Sequence, residues 1–187
     1  MTSLRIVAFL AIGFTLALAP VPAAAQDEAK DEAPKAPPKG CTGPGFADFD
    51  FWLGEWDVYP TAKPEQKVGH NSIKKLDGGC AIFESWRNVR GEPGHSLNYY
   101  VPDSGKWRQI WVSLPGYRID ISGGADKPGH MQLEGTILYY GRGEVPFRGT
   151  WTAQDDGSVR QVFEQYDPKA EKWGLWFDGT YRRSGKP

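Results

Sequence analysis

Three short stretches place polar groups and aromatic rings at every second position: Ile82-Glu84-Trp86, Ser96-Asn98-Tyr100 and Trp107-Gln109-Trp111. In an extended strand, residues i, i+2 and i+4 share a face. Each stretch therefore sets a carboxylate, hydroxyl or amide beside an indole or phenol, while Arg108, Ile110 and Val112 take the opposite face of the third. A sealed apolar core would not hold such groups, because an unpaired buried carboxylate or amide costs kilocalories. A ligand pocket would, since pockets combine apolar walls with a few directed polar groups. The expected binding set is Glu84, Trp86, Asn98, Tyr100, Gln109 and Trp111, with Arg148 reaching Glu84. The competing reading is an internal network in which Arg148 or Arg160 pairs Glu84 and the amides bridge strands through water. A buried Glu84 with a raised pKa would also suit general acid or base chemistry. The sequence offers it no companion group, so no catalytic residue is assigned.

Other chemistries find little support. Gly94-His95-Ser96-Leu97-Asn98 lacks the second glycine and the following helix of a nucleophile elbow. Asp155-Asp156 sits in turn chemistry, and no phosphate-cradling G-x-x-x-x-G-K is present. His70, His95 and His130 are far apart and without ligand spacing to each other or to cysteine, so no metal site is expected. Beyond residue 25 the chain's cysteines are Cys41 and Cys80. In an oxidising compartment such a pair favours a disulfide, the alternative being two independent buried thiols.

The elements that must position these residues are strands. Candidate strands at 54–60, 67–76, 80–89, 95–101, 106–113, 117–122, 130–140, 145–153, 158–166 and 173–183 alternate with Gly-, Pro- and Asp-rich turns, including a long one from Gly123 to Gly129. Connections this short suit antiparallel neighbours and leave no room for crossover helices. Eight to ten such strands predict an all-β, antiparallel up-and-down barrel, because closure removes exposed edges; a two-sheet sandwich is the alternative. Ahead of the first strand, Phe49, Trp52 and Leu53 share the spacing of one helical face. Asp48 can cap this turn and Gly54 can end it. The spacing thus predicts a short N-terminal plug helix, with Trp52 and Trp56 at the barrel floor.

Residues 1–25 read as a secretory signal: Arg5, then an apolar core at 6–19, two prolines and an Ala-Ala-Ala cleavage site. That core is shorter than the roughly 20 residues a membrane span needs. Residues 26–40 offer only alanine as an apolar residue among charges and prolines, and are expected to be a disordered linker before a barrel domain at 41–187. A periplasmic or secreted location follows, with no stable membrane insertion. The formal net charge of −1 is too near neutrality to favour nucleic acid as a partner.

Gly54-Glu55-Trp56, opening the first strand after a short helix, resembles the G-x-W signature of lipocalins and the wider calycin group. In those proteins the tryptophan packs at the closed barrel end against an arginine from the last strand, a role for which Arg182 or Arg183 is placed. A longer set is similar to a family of exported bacterial proteins with a calycin-like barrel, across nearly all of 41–187. It comprises FDFWLGEWDV, GGC at 78–80 with Glu84 and Trp86, S-x-N-x-Y at 96–100, W-x-Q-x-W at 107–111, DGSVRQ at 156–161 and FDGTYRR at 177–183. The resemblance implies a barrel-closing set of Trp52, Gly54, Trp56 and Arg182 or Arg183, and no activity. The G-x-W-x-G-x-G run of haem-binding nitrobindins is absent, as Asp57 and Val58 follow the tryptophan, and no cofactor is implied. Three readings of function result. One is an exported carrier or sensor of a small, mostly apolar molecule with a polar group. The second is a barrel enzyme using Glu84 with Arg148. The third is an interaction module whose barrel is filled by its own side chains.

Overall fold

The computed structural model describes residues 40–113 and 116–185. The expected leader, and all of the expected linker except Gly40, lie outside the described residues. Ten strands follow in chain order: β1 (Gly54–Pro60), β2 (Gly69–Leu76), β3 (Ala81–Asn88), β4 (Pro93–Val101), β5 (Lys106–Ser113), β6 (Tyr117–Lys127), β7 (His130–Tyr139), β8 (Gly143–Ala153), β9 (Val159–Asp167) and β10 (Lys172–Arg183). Each pairs antiparallel with its neighbours in sequence, and β1 pairs with β10 to close the barrel. That closing ladder, from Trp56 opposite Arg183 to Pro60 opposite Gly179, excludes the two-sheet sandwich. Among the described residues, no helix is long and apolar enough to cross a membrane.

Two expectations change. The segment before β1 is a single 3₁₀ turn, Asp50–Trp52, rather than a capped helix. Phe49 stands at its N-cap with no side-chain hydrogen bond, and Leu53 is already extended. Asp50 reaches out to Lys75 instead, at 2.7 Å. Aromatic packing places this turn. Phe49 stacks on Trp52 with centroids 4.9 Å apart and meets Trp107 and Trp151 edge-on, while Trp56 Nε1 donates to the Trp52 carbonyl at 2.8 Å. Second, β6 runs through Gly123 and Gly124 to Lys127, so the true turn is only Pro128-Gly129. Gly123 is there for close approach. A Cβ on Gly123 would stand 2.1 Å from the Gln132 carbonyl oxygen across the β6–β7 ladder, so a strand glycine imitates a turn signal.

Alternation assigns the two faces of the wall. Trp56, Val58, Ile73, Ile82, Trp107, Ile119, Ile121, Met131, Leu133, Phe147, Trp151 and Tyr181 are buried inside. Outside, Arg108 pairs Asp120 and Arg160 pairs Asp178, each through two hydrogen bonds. Such exposed pairs add little stability. Cys41 and Cys80 are disulfide-bonded, and Cys41 N–H donates to the Gly78 carbonyl at 3.2 Å. The bond ties the incoming chain to the β2–β3 connection.

Candidate functional site

Along β5, Trp107 meets Phe49 at the closed half of the barrel, and Trp111 lies two pleat repeats further into the other half. In that half the barrel holds a cavity of about 160 Å³. Its lining includes Glu84, Gln109, Gln161 and Tyr181 as polar groups, and Trp86, Trp111, Tyr117, Phe163, Trp176 and Phe177 as aromatic walls. Two structural devices make the walls. Gly69 and Gly94 leave space beside them: a Cβ on either would stand 2.3 Å from the ring of Trp86 or Trp111, respectively. A bulge in β10 between Leu175 and Phe177 breaks the alternation, so that the adjacent residues Trp176 and Phe177 both line the cavity.

The polar groups form one connected chain across six strands. Gln109 Nε2 donates to Asn98 Oδ1 (2.7 Å), and Asn98 Nδ2 donates to Ser96 Oγ (2.8 Å) and the Ile82 carbonyl (3.2 Å). Ser96 Oγ donates to Glu84 Oε2 (2.6 Å), and Asn71 Nδ2 donates to Glu84 Oε1 (2.7 Å). On the far side Tyr181 Oη donates to Gln161 Oε1 (2.5 Å). The chain therefore converges on the Glu84 carboxylate, which is only 3% exposed. Burial pushes the Glu84 pKa up to about 7, against the lowering effect of its Ser96 and Asn71 hydrogen bonds. Burial also raises Tyr117 and Tyr181 above the ordinary phenol value. Trp111 Nε1 and Ser113 Oγ sit near enough to the Tyr117 hydroxyl to lower its pKa somewhat, yet neither makes a hydrogen bond of good geometry.

The structure brings Glu84, Trp86, Gln109 and Trp111 together on the cavity wall. Asn98 lies behind them, fully buried, orienting Gln109. Two expected members are elsewhere. Tyr100 packs edge-on against Phe46 and tilted against Trp107, toward the closed half. Arg148 does not reach Glu84: its Nε donates to Glu164 Oε2 at 2.7 Å, and its guanidinium lies over Trp173 at 4.3 Å. The reason is parity, because Phe147 and Trp151 face inward and so turn Arg148 out. Arg160, the other candidate, is held by Asp178 on the same outer surface. Asn71, Tyr117, Gln161, Phe163, Trp176, Phe177 and Tyr181 join the site beyond the expected set. Asn71 alternates with Gly69 and Ile73, and Gln161 with Val159 and Phe163, so the strand period carried that information. The β10 bulge left no such trace.

At the barrel seam, Arg183 rather than Arg182 meets Trp56, its guanidinium 3.8 Å from the ring centroid and its Nη1 donating to the Leu53 carbonyl at 2.7 Å. Gly54 holds φ at 134°, a value side chains rarely adopt, and a Cβ there would meet Arg183 Nη1. Arg182 instead covers Tyr59 and donates to the Pro64 carbonyl. Neither a protein-family model nor a curated protein sequence matches this chain. The functional reading therefore rests on the cavity.

Proposed function

We propose that the chain is an exported binding protein of calycin-like type, a carrier or sensor for a small, mostly apolar molecule with a polar group. The observation that carries this reading is the 160 Å³ cavity itself, walled by aromatic rings around one buried carboxylate. A cavity of roughly 150 Å³ accommodates a molecule the size of benzene. The calycin-like assignment is supported by Gly54-Glu55-Trp56 with Arg183 over Trp56, and by the Phe49–Trp52 segment acting as a floor plug. Export is supported by the Cys41–Cys80 bond, since such bonds persist in oxidising compartments.

Native mass spectrometry of protein isolated from the producing cell tests the reading. The expected spectrum carries a small-molecule adduct that Ile119→Phe, which narrows the cavity, removes while near-UV circular dichroism is preserved. A bare chain, both as isolated and after incubation with toluene-sized molecules, would refute it. One observation favours a second reading: a carboxyl whose pKa is raised to about 7 suits proton transfer near neutral pH. Chemical conversion of the bound molecule, abolished in Glu84→Gln, would distinguish an enzyme from a carrier.

A further inference from the structure

We propose that the cavity takes a small organic amine in its protonated form, with the ammonium group on Glu84 and within the aromatic wall. The inference rests on the small-molecule reading of this cavity and narrows it to one chemical class.

The first argument is charge. Among the described residues no lysine, arginine or histidine pairs with Glu84, and no cationic side chain lines the cavity. The two arginines expected to pair Glu84 are engaged elsewhere, Arg148 with Glu164 and Arg160 with Asp178, and Arg183 holds Trp56 and the Leu53 carbonyl. A buried carboxylate without a counter-ion is costly when ionised. A ligand that brings the missing positive charge offsets that cost.

The second argument is the direction of the hydrogen bonds. Asn98 spends its amide N–H groups on Ser96 and Ile82, so its oxygen faces Gln109. Gln109 must then present its N–H₂ to Asn98, which leaves Gln109 Oε1 as an acceptor on a cavity-lining residue. Ser96 and Asn71 use their donors on Glu84 itself. The donors around Glu84 are thus consumed inside the network, while Gln109 Oε1 and the unpartnered Asn71 Oδ1 remain as acceptors. An ammonium group has three donors and no acceptor, and it matches this surplus. The donors left in the lining, among them Trp111 Nε1, the Tyr117 hydroxyl and the Gln161 amide, are uncharged.

The third argument is the wall. The faces of indole, phenol and phenyl rings attract a cation, and desolvated sites strengthen the attraction. Seven such side chains surround the cavity. An anionic ligand would meet Glu84 and these rings with the wrong sign. A neutral hydrocarbon would leave Glu84 uncompensated, and a neutral alcohol would use its hydrogen bond but not the rings.

Benzylamine, benzyl alcohol, toluene and benzoate share size and shape but differ in charge, so calorimetric titration with all four decides the matter. At pH 8 benzylamine should bind roughly tenfold or more tightly than benzyl alcohol or toluene, and benzoate should not bind. In Glu84→Gln the amine-to-alcohol ratio should fall by roughly tenfold, leaving only what the rings contribute. The wild type supplies an independent readout. The titratable groups facing Glu84 are the phenols of Tyr181 on β10 and Tyr117 on β6, both raised and so neutral below pH 9; β2, β4, β5 and β9 present only Asn71, Ser96, Gln109 and Gln161. Benzylamine affinity should therefore rise from pH 6 to pH 8 as Glu84 ionises, while toluene affinity stays level. Equal or weaker binding of the amine than of its neutral isosteres overturns the amine assignment and leaves the small-molecule cavity standing. An amine preference undiminished in Glu84→Gln, or flat with pH, also overturns it. If none of the four binds, the cavity reading falls and this inference with it.

Discussion

Glu84 is the residue on which the molecule's polar chemistry converges, and its titration has a stability consequence. Its folded pKa is raised from the ordinary value of 4.5 to about 7 because burial disfavours the charged form. The folded state therefore binds the proton more tightly than the unfolded chain does. The associated stabilisation is complete below pH 4.5 and is lost as pH rises through about 7. Over that window the loss is on the order of 3 kcal/mol. Glu84→Gln keeps the shape and accepts the Asn71 hydrogen bond, yet cannot ionise. Its unfolding free energy should lack this decline, so the difference between variant and wild type should grow in the variant's favour from pH 5 to pH 8. Parallel pH profiles in denaturant titrations would show that Glu84 is not titrating inside the fold.

At the scale of the strand, the cavity depends on what two glycines omit. Gly69 and Gly94 sit in the wall where Trp86 and Trp111 lie across their neighbours. Gly94→Ala would put a methyl group 2.3 Å from Trp111 Cζ2, too close for an unmoved ring. Overpacking of this kind costs about 1–3 kcal/mol. The ring's escape is toward the cavity, so the variant should lose stability by that amount, change its tryptophan fluorescence and bind a toluene-sized molecule less well. Unchanged stability and fluorescence would mean that Trp111 does not rest on Gly94. Glu84, Trp86, Gln109 and Trp111 are legible in the sequence because simple alternation governs β3 and β5. Charge complementarity to Glu84 points to Arg148, but the parity of β8, set by Phe147 and Trp151, turns it outward. Tyr100 shares a face of β4 with Asn98, but that face spans the whole barrel and Tyr100 lies past the cavity. Alternation gives the side of a wall but not the depth along it. Trp176 illustrates a third limit, since a bulge is set by cross-strand pairing that no local pattern records.

For the whole molecule, the barrel was legible because its turns are short and chemically marked, so nearly every ladder joins strands adjacent in sequence. The exception is the β1–β10 ladder, which joins the two ends of the domain and must overcome the largest loop-closure entropy. Seen from the sequence, only Gly54-Glu55-Trp56 and the terminal arginines hinted at that seam; in the structure Arg183 over Trp56 lies on it. The disulfide acts on the same entropic account from the other side of β1. It links positions 39 residues apart, enclosing the floor segment, β1 and β2 in one covalent loop. A cross-link of this span removes denatured-state entropy worth about 4 kcal/mol in the chain-entropy model. The folded floor does not need the bond for its own placement, because Phe49 and Trp52 are anchored by Trp107, Trp151 and Trp56. A Cys41→Ser/Cys80→Ser variant should therefore keep the near-UV signature of its packed tryptophans. It should nonetheless unfold at lower denaturant concentration, with a loss of about 4 kcal/mol. Its m-value should rise, because an uncross-linked denatured chain exposes more surface. A loss of near-UV structure would place the bond's effect in the folded state, with the floor held by the covalent link rather than by its aromatic contacts. A stability loss under about 1 kcal/mol with an unchanged m-value would show that the denatured chain is already compact around the same loop.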